Sequence, residues 1–270
     1  MPVFQVKAII IENSQMARDI WRMKIYSPEI TKAAYPGQFL MLRVRDELLP
    51  LLRRPFSFST INVSEGIFSI LYKVVGHGTR LMTKMLAGES VGVLAPLGRG
   101  FSKPPDGTKR VWLLAGGIGI APFFALLEML KRDSSKLEIS LFYGAATGEE
   151  LVDCRFFENN NCKVNLCTDD GTCGLHGLIT DSVERACSLT ILPDFFYSCG
   201  PTPMQSKVIE WAKCNGIRGQ VSMETYMACG MGVCLGCSIS KKFFTGNKNE
   251  ETNYLRVCRE GPVFSIGEEN

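Results

Sequence analysis

VWLLAGGIGIAPFFALLEMLKR, residues 111–132, changes character twice along its length. VWLLAG is an unbroken apolar run, the composition of a parallel strand buried on both faces. Gly116, Gly117 and Gly119 follow as a turn whose backbone a pyrophosphate can approach closely. APFFALLEMLKR then reads as a helix, with Pro122 suited to its first turn. Strand, glycine turn and helix start together predict an α/β nucleotide-binding domain. The spacing departs from GxGxxG, so the usual dinucleotide fingerprint does not transfer to it.

Beyond residue 132 the alternation continues. LEISLFYG, VNLCTD and DFFYSCG read as strands and DSVERAC as helix, to about residue 221. Cys199, in YSCGP at the carboxyl end of one such strand, lies where open α/β sheets bind ligands, and it can face a nicotinamide; a small core residue is the alternative. GAATGEEL (144–151) carries Glu149 and Glu150 and no Lys or Arg. A 2′-phosphate calls for a basic partner, so this stretch favours NAD over NADP.

Before residue 103 the pattern is different. In DIWRMKIYSP, Trp21, Met23 and Ile25 alternate with Arg22 and Lys24, the period of a half-buried strand. GQFLMLRV, FSFSTI, GIFSILYKVV and SVGVLAPLG are further short strands between Pro and Gly, and TRLMTKML (79–86) reads as the one helix among them. Short antiparallel strands of this kind suggest a small barrel. RRPFSFS (53–59) offers an arginine for a phosphate, and hydroxyl and backbone groups for the edge of a flavin ring. PGQF (36–39) precedes it, and GHGTRLM (76–82) supplies glycines and a hydroxyl at a helix start expected at Thr79. His77 alone is more simply a surface turn residue.

The last segment carries CGMGVCLGC (229–237). Cys229, Cys234 and Cys237 have C-x4-C-x2-C spacing, and Cys258 follows after twenty further residues. This is the plant-type spacing for a 2Fe–2S cluster, and Gly230, Gly232 and Gly236 would let the backbone wrap it closely. A structural zinc site is the alternative, but such sites usually pair two short knuckles. Here there is one C-x2-C and no histidine after His176. The segment has too few apolar residues for a core of its own, so it needs a metal or a parent domain.

The totals agree. The 270 residues are 46% hydrophobic and 21% charged with net charge +3, which suits two or three domains and lacks the clustered basic face of a nucleic-acid binder. MPVFQVKAII has no export-signal pattern and no long apolar run occurs, so neither secretion nor a membrane span is expected and a cytoplasmic location is. Without an export signal, the eleven cysteines read as thiols or metal ligands.

RPFSFS, GHGTRLM, AGGIGIAP and CGP, in this order, resemble ferredoxin–NADP reductase-type flavoproteins over about residues 3–221. With SMETYMACGMGVCLGCSIS and YLRVCREGPVF, the chain looks like the electron-transfer subunits of class B dihydroorotate dehydrogenase. The resemblance implies an α+β and α/β multidomain protein: an antiparallel six-stranded FAD-binding β-barrel (1–102), a parallel-sheet α/β NAD-binding domain (103–221) and a small C-terminal 2Fe–2S segment (222–270). It implies that Arg54, Pro55, Phe56 and Ser57 contact the flavin of FAD. Leu71, Tyr72 and Lys73 would lie along its adenine and ribitol, with Gly78 and Thr79 at the pyrophosphate. Gly116, Gly117, Gly119 and Cys199 would border NAD, and Cys229, Cys234, Cys237 and Cys258 would ligate the cluster. The implied partner is an FMN-containing catalytic subunit that binds dihydroorotate, in a heterotetramer with two copies of each. No catalytic acid or base is expected on this chain. The same architecture resembles the flavin subunits of bifurcating ferredoxin:NADP oxidoreductases, sulfide dehydrogenases and hydrogenases. In the bifurcating subunits a carboxylate is expected at the first cluster ligand, where this chain has Cys229. TGNKNEETN (245–253), before Cys258, reads as a polar surface insert.

Overall fold

A computed structural model describes residues 2–45, 49–133, 136–250 and 252–267. The first seven strands are β1 (Phe4–Ala17), β2 (Ile20–Tyr26), β3 (Phe39–Arg43), β4 (Arg54–Ser57), β5 (Thr60–Asn62), β6 (Ile67–Lys73) and β7 (Ser90–Leu97). They form one antiparallel sheet in the order β4-β3-β7-β1-β2-β6-β5. The short helices α1 (Pro28–Ala33) and α2 (His77–Met82) lie between strands. Alternate residues such as Met23, Ile25, Leu40, Leu42, Phe68 and Ile70 fill its interior.

The expected six strands are seven because RPFSFSTIN does not run as one. The Phe58 N–H bonds to Gln38 O (3.3 Å), whereas the Ser59 N–H bonds to Ser69 O (2.7 Å). Between these neighbours the chain leaves the β3 edge and joins β6. The two ends of the strand order are therefore consecutive in sequence, and the sheet curls until β4 lies against β6. The helix expected at 79–86 instead runs from His77 to Met82. It starts early because Thr79 Oγ1 accepts the N–H groups of Val75 (3.0 Å) and Gly76 (3.1 Å) from inside the first turn.

The second sheet contains β8 (Arg110–Gly116), β9 (Glu138–Ala145), β10 (Cys162–Thr168), β11 (Leu175–His176), β12 (Phe195–Cys199) and β13 (Arg218–Ser222), all parallel, in the order β11-β10-β9-β8-β12-β13. Helices α3 (Phe123–Asp133), α4 (Cys154–Asn159), α5 (Ile179–Leu189) and α6 (Thr202–Cys214) connect the strands. As the unbroken apolar run requires, β8 feeds two cores: Val111, Leu113 and Ala115 enter one, Trp112 and Leu114 the other. α3 begins at Phe123, after a 3-10 turn at Gly117–Ile120, so Pro122 stands just before the helix rather than in it.

The C-terminal segment holds a separate ladder of β14 (Ser238–Ser240) and β15 (Tyr254–Arg256), with α7 (Lys242–Thr245) between them. β16 (Val263–Ile266) then pairs antiparallel with β13 and completes a seven-stranded sheet. A segment too poor in apolar residues to fold alone thus borrows a core from its neighbour. The polar insert is flanked by an anchor: Phe244 stacks on Phe264, ring centroids 4.5 Å apart. The Lys241–Glu250 ion pair (3.0 Å) folds the insert back on itself.

The two sheets are joined by specific groups. The Ala125 N–H in α3 bonds to Ser59 O (2.8 Å). Tyr197 OH donates to Ser102 O (2.7 Å), and Gln220 both accepts from the Ser102 N–H (2.9 Å) and donates to its hydroxyl (2.5 Å). Ion pairs Arg18–Glu149 (3.2 Å), Lys73–Glu150 (2.8 Å) and Arg22–Asp153 (3.0 Å) run from the barrel to the segment after β9. Among the described residues no helix is long and apolar enough to cross a membrane.

Candidate functional site

The barrel signals meet around α2. The Arg54 guanidinium lies against Gly78, where a Cβ would stand 2.8 Å from Nε, so only glycine lets the arginine lie over the helix start. Arg54 NH1 also donates to Leu52 O. Arg54 and Gly78 thus set a cation over the α2 start, of the chemistry a diphosphate needs, while the buried Thr79 hydroxyl is committed to Val75 and Gly76. Pro55, Phe56 and Ser57 are half-buried on β4, and the Phe56 ring lies 6.0 Å from that of Tyr72.

β6 divides its three expected contacts. Leu71 and Tyr72 are buried on opposite faces, Leu71 among the α/β core residues and Tyr72 inside the barrel. Tyr72 OH donates to Asn13 Oδ1 (2.9 Å), and burial pushes its pKa up. Asn13, which the sequence did not single out, donates its amide to Met82 O (2.7 Å) and Met85 O (3.0 Å), fixing the far end of α2. Lys73 is held by Glu150.

At the carboxyl end of the second sheet, Gly119 presses onto the chain after β12. A Cβ there would stand 2.3 Å from Cys199 O, a distance no side chain tolerates. Gly116 is similarly crowded by Met204 Sδ, 2.6 Å from its would-be Cβ. Of the three glycines only Gly117 faces open space. Gly116 and Gly119 are therefore needed by packing within the protein, whatever ligand approaches. Cys199 is buried, and desolvation followed by the nearby Glu224 carboxylate raises its thiol pKa. Desolvation likewise raises the carboxyl of Glu224, another residue not singled out by its sequence context.

Glu149 and Glu150 do not present a free acidic edge. Both are engaged with barrel cations, Arg18 and Lys73. The carboxylates just past the end of β10 are Asp169 and Asp170, the latter accepting the Thr172 N–H (3.0 Å) and hydroxyl (2.6 Å).

The cysteine loop is ordered by its own backbone. Gly230 and Gly232 adopt φ of 71° and 81°, and a Cβ on Gly230 would meet Met41 Cγ at 2.6 Å, so the loop sits hard against the barrel. The third left-handed position is Leu235 (φ 59°), not Gly236. Cys229 Sγ accepts the N–H groups of Met231 (3.4 Å) and Cys234 (3.5 Å). Desolvation opposes ionisation there, but the N–H donors of Cys234, Met231 and Val233 prevail and lower the thiol to about 6. Cys237 and Cys258 are both buried, with sulfurs 3.1 Å apart, and the Val257 N–H bonds to Cys237 O (3.1 Å). Desolvation and the adjoining Cys237 thiol push Cys258 up to about 12.

The Cys237 and Cys258 sulfurs therefore stand as a pair, and Cys229 is tied to Cys234 through the Cys234 N–H. Among the described residues no three His, Cys, Asp or Glu side chains converge as they would on a single metal ion. Four thiol donors in C-x4-C-x2-C…C spacing, with amides aimed at one sulfur, fit the ligand set of a two-iron cluster. Met231, Val233, Leu235 and Tyr226 expose apolar surface around this loop.

Comparison with known proteins agrees with this geometry. Residues 224–268 match the family described as the iron–sulfur cluster binding domain of dihydroorotate dehydrogenase B, and residues 113–210 match the oxidoreductase NAD-binding domain. The chain is 34% identical to the dihydroorotate dehydrogenase B (NAD(+)) electron transfer subunit of Fusobacterium nucleatum, over 94% of this chain and 93% of that one. The corresponding subunit of Desulforamulus reducens is 32% identical over 97% and 96%. Among solved structures, that of NADH-dependent reduced ferredoxin-NADP oxidoreductase superposes with a TM-score of 0.82 at 26% identity, over 96% of this chain and 88% of that one. With two full-length relatives above 30% identity and a cysteine loop built for a cluster, the chain belongs to the dihydroorotate dehydrogenase B electron transfer subunit family.

Proposed function

We propose that this chain is the electron-transfer subunit of an NAD-dependent dihydroorotate dehydrogenase. It takes electrons that a catalytic partner removes from dihydroorotate and delivers them to NAD⁺ for pyrimidine biosynthesis. FAD supplies the exchange between two-electron and one-electron carriers, and a 2Fe–2S cluster the single-electron relay. The observation that carries this reading is the pairing of Cys237 with Cys258 beside the Cys229–Cys234 loop, against the barrel.

In this reading residues 1–102 hold FAD, 103–221 hold NAD and 222–270 hold the cluster. Arg54, Gly78 and Thr79 bind the diphosphate, and Pro55, Phe56 and Ser57 line the flavin, with Leu71, Tyr72 and Lys73 behind them. Gly117 faces NAD, while Gly116 and Gly119 set the strand ends that flank it beside Cys199. Cys229, Cys234, Cys237 and Cys258 hold the cluster. The barrel-to-sheet ion pairs keep the two nucleotide sites facing one another. The partner is an FMN-bearing subunit docked over the exposed Met231, Val233 and Leu235, in an assembly with two copies of each chain located in the cytoplasm.

A second reading, the flavin subunit of a bifurcating oxidoreductase, is favoured by the 0.82 superposition. The higher identity to the dihydroorotate dehydrogenase subunits weighs against it. Anaerobically purified protein is expected to carry about two irons and two acid-labile sulfides per chain, with one FAD. Stoichiometric zinc without labile sulfide would overturn the cluster assignment.

A further inference from the structure

The cysteine ligands come from two pieces of chain, the loop 229–237 and Cys258, separated by α7 and the polar insert. Two features bring Cys258 to the loop's end: the β14–β15 ladder, in which Ser238 pairs with Arg256, and the Val257 N–H bond to Cys237 O. Neither reaches the middle of the loop. Arg256 does, because its NH1 donates to Gly232 O (3.2 Å), between Cys229 and Cys234.

That guanidinium is tightly aimed. Nε donates to Glu260 Oε2 (3.1 Å) and NH2 to Glu260 Oε1 (2.6 Å), a two-point grip that fixes its plane. The Arg256 backbone N–H adds a third bond to Glu260 Oε2 (2.7 Å). Glu260 lies two residues past Cys258, so the pair closes a ring around that ligand. Beside it, the Arg259 side chain packs on Gly232, its Cδ 3.0 Å from where a Cβ would be. Two cationic side chains thus lie against one glycine of the cysteine loop, and among the described residues only Arg256 is matched by a carboxylate held this closely.

We infer that Arg256, aimed by Glu260, is a positioning residue for the iron–sulfur site. It latches the Gly232 carbonyl so that the two ligand pieces stay in register, and it places a fixed positive charge beside Cys237 and Cys258. This rests on the cluster assignment made above. A cluster gains negative charge on reduction, so a neighbouring cation favours the reduced form and a neighbouring anion disfavours it. Arg256 and Glu260 should therefore pull the midpoint potential in opposite directions, although they hold one another in place. A purely structural pair would move it the same way when either is lost.

The test uses the full-length chain, purified anaerobically, with iron and sulfide content measured first. Potentiometric titration followed by electron paramagnetic resonance then gives the midpoint. Arg256→Gln is expected to lower the midpoint, and Glu260→Gln to raise it, each by a factor of about three in the reduction equilibrium, or about 28 mV at 59 mV per decade for a one-electron couple. Arg256→Lys keeps the charge but loses the fork. It should leave the midpoint at its wild-type value, yet release iron to a chelator about threefold faster. Shifts of the same sign in the two neutral variants, or none in either, overturn the proposal. If Arg256→Gln fails to assemble a cluster, Glu260→Gln decides alone, and an unchanged or lowered midpoint overturns it. Wild-type protein without iron and sulfide would instead sink the cluster assignment itself.

Discussion

At the scale of single residues, the cysteines were the easiest part of the site to read, because ligand chemistry fixes both residue type and spacing. Cys258 stands against Cys237 in the turn just past a separate strand. Cys258→Ser should therefore lose most of the iron while the flavin content stays near wild type, as measured by iron assay and visible absorbance. Equal loss of flavin would show that the tail is needed to fold the barrel. Glu149 and Glu150 were visible as charges, but their partners were not: Arg18 and Lys73 are distant in sequence and meet them only through the fold. With those glutamates paired, we propose Asp169 and Asp170, just past the carboxyl end of β10, as the carboxylates that disfavour a 2′-phosphate. NADH should be favoured over NADPH by at least about tenfold in kcat/KM, or about 1.4 kcal/mol. Glu149→Ala should leave that ratio unchanged, whereas Asp170→Arg should narrow it. A collapse of the ratio in Glu149→Ala would restore the original reading. Leu235 in the left-handed region and the Arg256 latch were not legible, since spacing alone does not say which backbone groups a loop turns inward.

At the scale of elements, strands were legible where burial dictates a pattern. The unbroken apolar β8 and the alternating β2 are both found where expected. The break between β4 and β5 was not legible, because RPFSFSTIN has a strand's composition throughout and changes only its pairing partner. Nothing local in VFSI says that β16 extends the neighbouring sheet. One stabilising device on the α/β sheet is open to a pH test. Asp194, just before β12, accepts the backbone N–H groups of Lys109 (2.9 Å) and Arg110 (2.7 Å) and pairs with the Arg110 guanidinium (3.1 Å). Desolvation raises its pKa, but these donors outweigh it and the net shift is downward. A carboxyl with a lowered folded pKa stabilises fully above its unfolded value of about 3.9, and that contribution is lost as pH falls through the folded value. Asp194 is partly exposed, so solvent screens the effect, and Asp194→Asn should cost about 1 kcal/mol in denaturant unfolding at pH 7. The gap to wild type should close as pH falls through the lowered folded-state value, below the ordinary carboxylate range. A gap independent of pH would mean that the carboxylate charge plays no part.

At the scale of the whole molecule, the proposed function gives each of the three segments a task. The barrel carries Arg54, Gly78 and Thr79, the parallel sheet carries Gly117 and Cys199, and the tail carries four cysteines while completing that same sheet. A barrel for a second flavin typically needs about 250 residues of its own. The oxidation of dihydroorotate therefore belongs on a different chain, and the isolated protein should reduce dyes with NADH yet leave dihydroorotate untouched. Adding the catalytic subunit should create dihydroorotate:NAD⁺ activity. The route between chains is expected to open at the cysteine loop, where Cys234 is exposed and Val233, at 78% exposure, stands beside it without apolar cover. An exposed apolar patch of this kind is costly to leave in water and is naturally covered by a partner. A charge at its centre should be poorly tolerated once water is excluded, because burying an unpaired carboxylate costs more than the contact returns. Val233→Glu should therefore lower the coupled reaction at least about tenfold while the NADH-to-dye reaction, which does not need the partner, stays within about twofold of wild type. Parallel loss of both would mean the substitution damages the loop itself. Full coupled activity in the variant would place the docking surface elsewhere on the molecule.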